Sequence, residues 1–245
     1  MAIFQLFVIE GVLSIELKFC SMKIHVLCML VLSVLLVGCS QQSAPVQGSS
    51  TASPSPQETP PKNLDEVPVS SLAWLLGKDY SQAAIMKSRS VPGPEFEKAF
   101  ELCSKVAIRL EVGAVPPPPE PSENASENLG ATLAYILESS KSLSESLKAK
   151  HGERAAGIFE IAWKTNTSAL LYAPGDQLAL GYATQLESAG KAYKLPAELW
   201  QPVVTSIRAN ESAEVVRGLI AKMSTEMPIK LAESELVEEE NKTSK

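Results

Sequence analysis

The chain has 245 residues, a formal net charge of −6 and an apolar share of 45%. Its acidic balance argues against nucleic acid as a partner and against a polybasic membrane patch, since both of those surfaces recruit excess Lys and Arg. The apolar share is ordinary for a globular protein, and the length allows one domain with its own core once a leader and a linker are set aside.

Residues 1–38 read as a targeting segment rather than as part of a fold. From Met22 onward Lys23 supplies a positive start, Val26 to Leu36 an apolar core, and Gly38 a small residue before a cut. That core is about 11 residues long, well short of the ~20 needed to span a bilayer. Glu10 and Glu16 interrupt the apolar character of residues 1–21, so Met22 is expected to be the true start. The run Leu36-Val37-Gly38-Cys39 closes the segment.

This run resembles the lipobox of bacterial lipoproteins, and the resemblance covers only the N-terminal segment. It implies cleavage after Gly38, a diacylglycerol joined to Cys39 through a thioether, and fatty acylation (palmitate or a similar chain) of the freed amine. The membrane is then a partner through the lipid on Cys39. One myristoyl chain, at about 0.8 kcal/mol per methylene, holds a protein only marginally, whereas two or three chains anchor it stably. Ser40 follows the cysteine where aspartate would favour inner-membrane retention. By the same resemblance the outer membrane is expected, with the domain facing the periplasm. An uncleaved signal anchor is the alternative. Loss of residues 1–38 removes Glu10, Glu16, Lys18 and Lys23, leaving the net charge unchanged.

Residues 39–67 are rich in Ser, Pro, Gln and Thr and nearly free of large apolar groups. Such a segment cannot bury enough surface to order itself, so it reads as a tether with a reach of roughly 25–35 Å. Ser70 to Gly77 follows as a short helix, opened by serine and closed by glycine. Its Trp74 either packs on the domain as a flap or stands out as a partner-binding stub. Pro94 opens a helix to about Glu111, with Phe96, Phe100, Cys103, Ala107 and Leu110 on one stripe. Pro116 to Pro119, with Pro121, form a stiff extended connector.

A second long helix is expected from about Ser126 to Lys150, stopped at Gly152, and a third from Glu153 to Tyr172, ended by Pro174-Gly175. Asp176 caps the next, whose stripe is Leu178, Tyr182, Leu186, Ala189 and Tyr193. Pro196 starts another through Trp200 and Ile207, and Asn210 or Ser212 caps the last, which carries Val216, Ile220 and Met223. No segment alternates with a period of two. The expected fold is all-α: an up-and-down bundle of five to six helices over residues 68–228, with an acidic tail at 229–245 that frays or continues as solvated helix.

Chemistry-bearing residues are sparse. His151 is the sole histidine after the leader, which leaves zinc and di-iron designs without ligands. It reads instead as a helix-terminal residue beside Gly152. Cys103, on an apolar stripe, reads as a buried core thiol. Glu97 and Glu101 lie one turn apart, but Lys105 makes them an ordinary charged face. Serines and lysines around Ser139, Ser140 and Lys141 suggest no particular pairing. Thr165-Asn166-Thr167-Ser168 places four poor helix formers in a row, where they either line a pocket or bond back to preceding carbonyls. The candidate pocket is Trp163, Thr165, Asn166, Tyr172, Tyr182 and Trp200.

No catalytic residue, metal ligand or cofactor is assigned, and the chain is expected not to be an enzyme. The expectation is a lipid-anchored cell-envelope protein whose helical domain has a structural role or binds an envelope protein. The alternative is a helical bundle that holds a small molecule or lipid between its helices. The mature domain resembles no family.

Overall fold

Apolar side chains recurring at three- and four-residue spacing produce helices throughout the computed structural model, which describes residues 64–89 and 93–243. A 3-10 turn at Leu64–Glu66 leads into α1 (Val69–Ser88), α2 (Gly93–Arg109), α3 (Ala125–Leu171), α4 (Gln177–Ala192), α5 (Ala197–Arg208) and α6 (Ala213–Thr243). Among the described residues there is no strand. The bundle is all-α, with six helices, as the periodicity predicts.

Helix α1 corrects the expectation of a short flap ended by Gly77. It runs for 20 residues straight through that glycine, and Leu72, Trp74, Leu76, Tyr80, Ala83 and Ala84 are all buried. The apolar face continues past Gly77, so the helix has no reason to stop there. The missing side chain serves contact instead: a Cβ on Gly77 would overlap the carbonyl oxygen of Phe159 and crowd Ala162. Two helix backbones therefore approach each other closely at this point.

Trp74 explains how α6 passes through Pro228 without stopping. Proline has no N–H, so the carbonyl of Ser224, four residues earlier, loses its helical partner. The indole Nε1 of Trp74 donates to that oxygen at 3.3 Å, and the Ser71 hydroxyl donates to the carbonyl of Pro228 at 2.7 Å. These two bonds align α1 antiparallel to α6. The core accordingly reaches beyond residue 228, with Leu231 fully buried and Glu235 paired to Arg154 at 2.7 Å.

Helix α3 is a hairpin. Gly152 has φ 84° and ψ 178°, which reverses the chain between a first arm (125–151) and a second arm (153–171). Ser144 donates to Glu160 at 2.8 Å across the hairpin, whereas in a straight helix the two residues would lie about 24 Å apart. The helix boundary expected at Gly152 is thus a tight turn. The first arm covers α1, where the Tyr80 hydroxyl donates between the carbonyls of Tyr135 and Ile136 at 3.0 and 3.1 Å. At the arm's last residue, the His151 ring meets the Leu110 carbonyl at 2.7 Å and ties the hairpin to the end of α2. The proline connector lies against the same arm, its Pro116 carbonyl accepting from Tyr135 at 2.5 Å.

The remaining helices follow their caps. Asp176 accepts from the Leu178 amide at 2.9 Å, and Ser212 accepts from the Val215 amide at 3.4 Å. Helix α5 begins directly after Pro196, and its Trp200 indole lies over Gly190 of α4 while donating to the Leu195 carbonyl at 3.2 Å.

Replacing Trp74 by Phe strands the Ser224 carbonyl in the core and should cost about 1–3 kcal/mol. In a Pro228→Ala background the restored amide can take over that carbonyl, so the loss should shrink by about 1 kcal/mol. Urea denaturation of the four proteins measures the coupling. Strictly additive losses would show that Trp74 does not compensate for Pro228.

Candidate functional site

The four polar residues 165–168 do not break the second arm of α3; they connect it to its neighbours. Thr165 donates back to the Ile161 carbonyl at 2.6 Å and Thr167 to the Trp163 carbonyl at 3.1 Å. A helix tolerates these bonds because each hydroxyl finds an oxygen on its own preceding turn. The Tyr182 hydroxyl of α4 then donates to Thr165 Oγ1 at 2.9 Å. Burial pushes the Tyr182 phenol well above its ordinary pKa, although the Thr165 contact pulls the other way. On the opposite side the Asn166 amide donates to the Lys78 carbonyl at 2.9 Å and reaches the Ser81 hydroxyl at 3.1 Å. These are interhelical pins, with α1 on one side and α4 on the other.

The six residues of the candidate pocket therefore do not share one cavity. Thr165, Trp163 and Trp200 line none of the four clefts described below. The Trp163 indole is buried, makes no hydrogen bond, and has the Lys164 ammonium 5.6 Å from its ring centre. Tyr172 and Tyr182 share an open cleft of about 310 Å³ between α3 and α4. Leu171 and Leu178 lie in the same cleft and are 41% and 64% exposed. Leu178 fits an apolar stripe by spacing, but it sits in the first turn of α4, before the helix reaches the core. Tyr172 also donates to the Glu211 carbonyl at 3.0 Å, which binds the end of α3 to the start of α6.

Asn166 lines a different and larger cleft of about 600 Å³, together with Ile85, Met86, Leu170, Arg89 and Arg217. Arg217 already serves the fold there, donating to the Ala169 carbonyl at 2.9 Å near the C-terminus of α3. Two smaller clefts, about 330 and 290 Å³, meet at Gly157, Glu160 and Tyr193. The Glu160 carboxylate takes the Ser144 hydroxyl at 2.8 Å and the Lys164 ammonium at 3.3 Å. The Tyr193 ring covers Gly157, where a Cβ would collide with it. Burial, aided by Glu153 and Glu160, raises the Tyr193 phenol pKa. Sequence reasoning did not single out this Ser–Glu–Lys group. Its members lie on two arms that only the reversal at Gly152 brings together.

Other titratable groups have structural surroundings. Cys103 is fully buried, and burial, followed by the negative charge of Asp79, pushes its thiol pKa far up. A thiol held protonated is a poor nucleophile. Glu101 pairs with Lys105 at 2.6 Å on an exposed face, and this hydrogen bond lowers the Glu101 pKa. Ser140 donates to the Leu137 carbonyl at 3.0 Å. Among the described residues no three His, Cys, Asp or Glu side chains gather as metal ligands, and no helix is long and apolar enough to cross a membrane. Leu36, Val37, Gly38 and Cys39 lie outside the described residues, as does Met22. No known protein family matches the chain, and neither does any curated protein or solved structure.

The Cys103 thiol should resist a maleimide in the native protein and react fully in urea. The Tyr182→Phe variant should be about 1 kcal/mol less stable through loss of the Thr165 bond. Mass spectrometry of labelled peptides and a denaturation curve check the two. Rapid native labelling of Cys103 would mean that α2 opens readily.

Proposed function

We propose that this chain is a lipid-anchored protein of the bacterial cell envelope whose helical bundle serves a structural or protein-interaction role. Leu36-Val37-Gly38-Cys39 supports the anchor, and the Ser/Pro-rich segment after it supports a tether. The observation that carries the interaction reading is how the interior polar groups are used. Thr165, Asn166 and Tyr182 bond other helices, and the clefts described open to solvent. A bundle built this way supports binding on its outside, where exposed Leu171 and Leu178 flank Tyr172.

One feature favours a second reading. The cleft of about 600 Å³ falls within the usual size of ligand pockets, and it combines Ile85, Met86 and Leu170 with two cations, Arg89 and Arg217, against one carboxylate, Glu95. That lining suits an anionic amphiphile such as a fatty acid. Titration with a fluorescent fatty acid separates the readings. Saturable binding weakened by Met86→Glu favours the amphiphile, and no binding favours the interaction module.

The anchor has a direct test. In a bacterial host, wild-type protein should incorporate radiolabelled palmitate and sediment with membranes. Cys39→Ala should lose the label and leave an unprocessed precursor. Equal labelling of both proteins would rule out Cys39 as the lipidated residue.

A further inference from the structure

We propose that α3 is a two-state hinge: a hairpin in the single chain, and one straight helix in a domain-swapped dimer with a second copy of this chain. The reversal rests on a single residue. Connections between packed helices usually take about 2–8 residues, yet here Gly152 alone turns the chain, at φ 84° and ψ 178°. That conformation is open essentially only to glycine. Both flanks are suited to helix: Ala149, Lys150, Glu153, Arg154, Ala155 and Ala156 are good helix formers, and no proline occurs between residues 125 and 171. A straight α3 would restore the backbone hydrogen bonds that a reversal at Gly152 interrupts.

The contacts across the hinge can be exchanged without loss. Residues 64–151 carry α1, α2 and the first arm; residues 153–243 carry the second arm, α4, α5 and α6. The two halves meet where Gly77 packs on Phe159, where Trp74 bonds Ser224, and where Ser144 bonds Glu160. Straightening α3 carries one half away from its own partner and presents it to the matching half of a second chain. Each contact then re-forms between chains, and only the hinge differs between the two states. The contact local to the turn is the Lys148–Glu153 pair, whose side chains are both more than half exposed, so its loss weighs little. Short hinges of this kind are the recognised setting for exchange of identical elements between protomers.

Two variants shift the equilibrium in opposite directions. Gly152→Ala penalises the reversal and favours straight helix, by about tenfold per hinge and about a hundredfold for the two hinges of a dimer. Insertion of Gly-Ser-Gly-Ser after Gly152 relaxes the turn and should lower the dimer fraction below that of wild type. Sedimentation of the full chain in mild detergent, over a concentration series, reads both. The expected result is a tighter Gly152→Ala dimer that keeps the wild-type near-ultraviolet circular dichroism, with the insertion variant monomeric. A dimer that forms equally in all three proteins is an ordinary surface dimer and overturns the proposal. So does a Gly152→Ala protein that stays monomeric at every concentration. Should Gly152→Ala fail to fold, wild type against the insertion variant decides: equal dimer fractions refute the hinge.

Discussion

The bundle is organised around the seat of α1, and that seat depends on the Ser224 carbonyl that Pro228 deprives of its helical partner. A proline inside a helix both removes a hydrogen bond and strains the preceding turn. Here the vacated oxygen lies in the core, and the Trp74 indole fills the role of the missing amide. Ser71 bonds one turn further on. The pair fixes the axial register of α1 against α6. Once that register is set, Gly77 falls opposite Phe159, and Tyr80 reaches the carbonyls of the first α3 arm. A shift of one residue would misplace all of these contacts together.

Around this centre the polar side chains act as fasteners. Asn166 joins the second α3 arm to α1, Tyr182 joins α4 to it through Thr165, and Arg154 joins it to α6 through Glu235. The Tyr182 bond satisfies a hydroxyl that would otherwise be costly to bury, and all three bonds fix the rotation of a helix about its axis. Tyr193 over Gly157 and Trp200 over Gly190 do the same by shape. Polar groups committed in this way are not available to a ligand.

Much of the helical order can be read in the chain itself, because it is written locally. Gly152, Asp176, Pro196 and Ser212 are punctuation whose effect depends on a few neighbouring residues, and the boundaries fall where they stand. Gly77 and Pro228 are the opposite case. The same residue types that end helices elsewhere are retained here by a distant helix, Gly77 by close approach and Pro228 by a borrowed donor. Neither partner is visible within a turn or two of sequence. The candidate pocket failed to assemble for a related reason. Thr165 and Asn166 are adjacent in sequence but 100° apart around the helix, so they face different neighbours. The Ser144–Glu160–Lys164 group was invisible until the two arms were folded together.

The direction of the second α3 arm has a mechanical consequence. The chain enters the bundle near Arg109, whose guanidinium holds Asp65 at 3.0 Å, and close to the turn at Gly152. Whatever holds the residues before Leu64 therefore grips the bundle by that end. Leu171, Leu178 and the α3–α4 connection lie at the other end, about 28 Å away along the arm. Ser71 and Trp74 bond α6 within the first turns of α1, so displacement of α1 along its axis would strain both bonds together. A load applied at Leu64 along the axis of α1 would thus be shared between the Ser71 and Trp74 bonds.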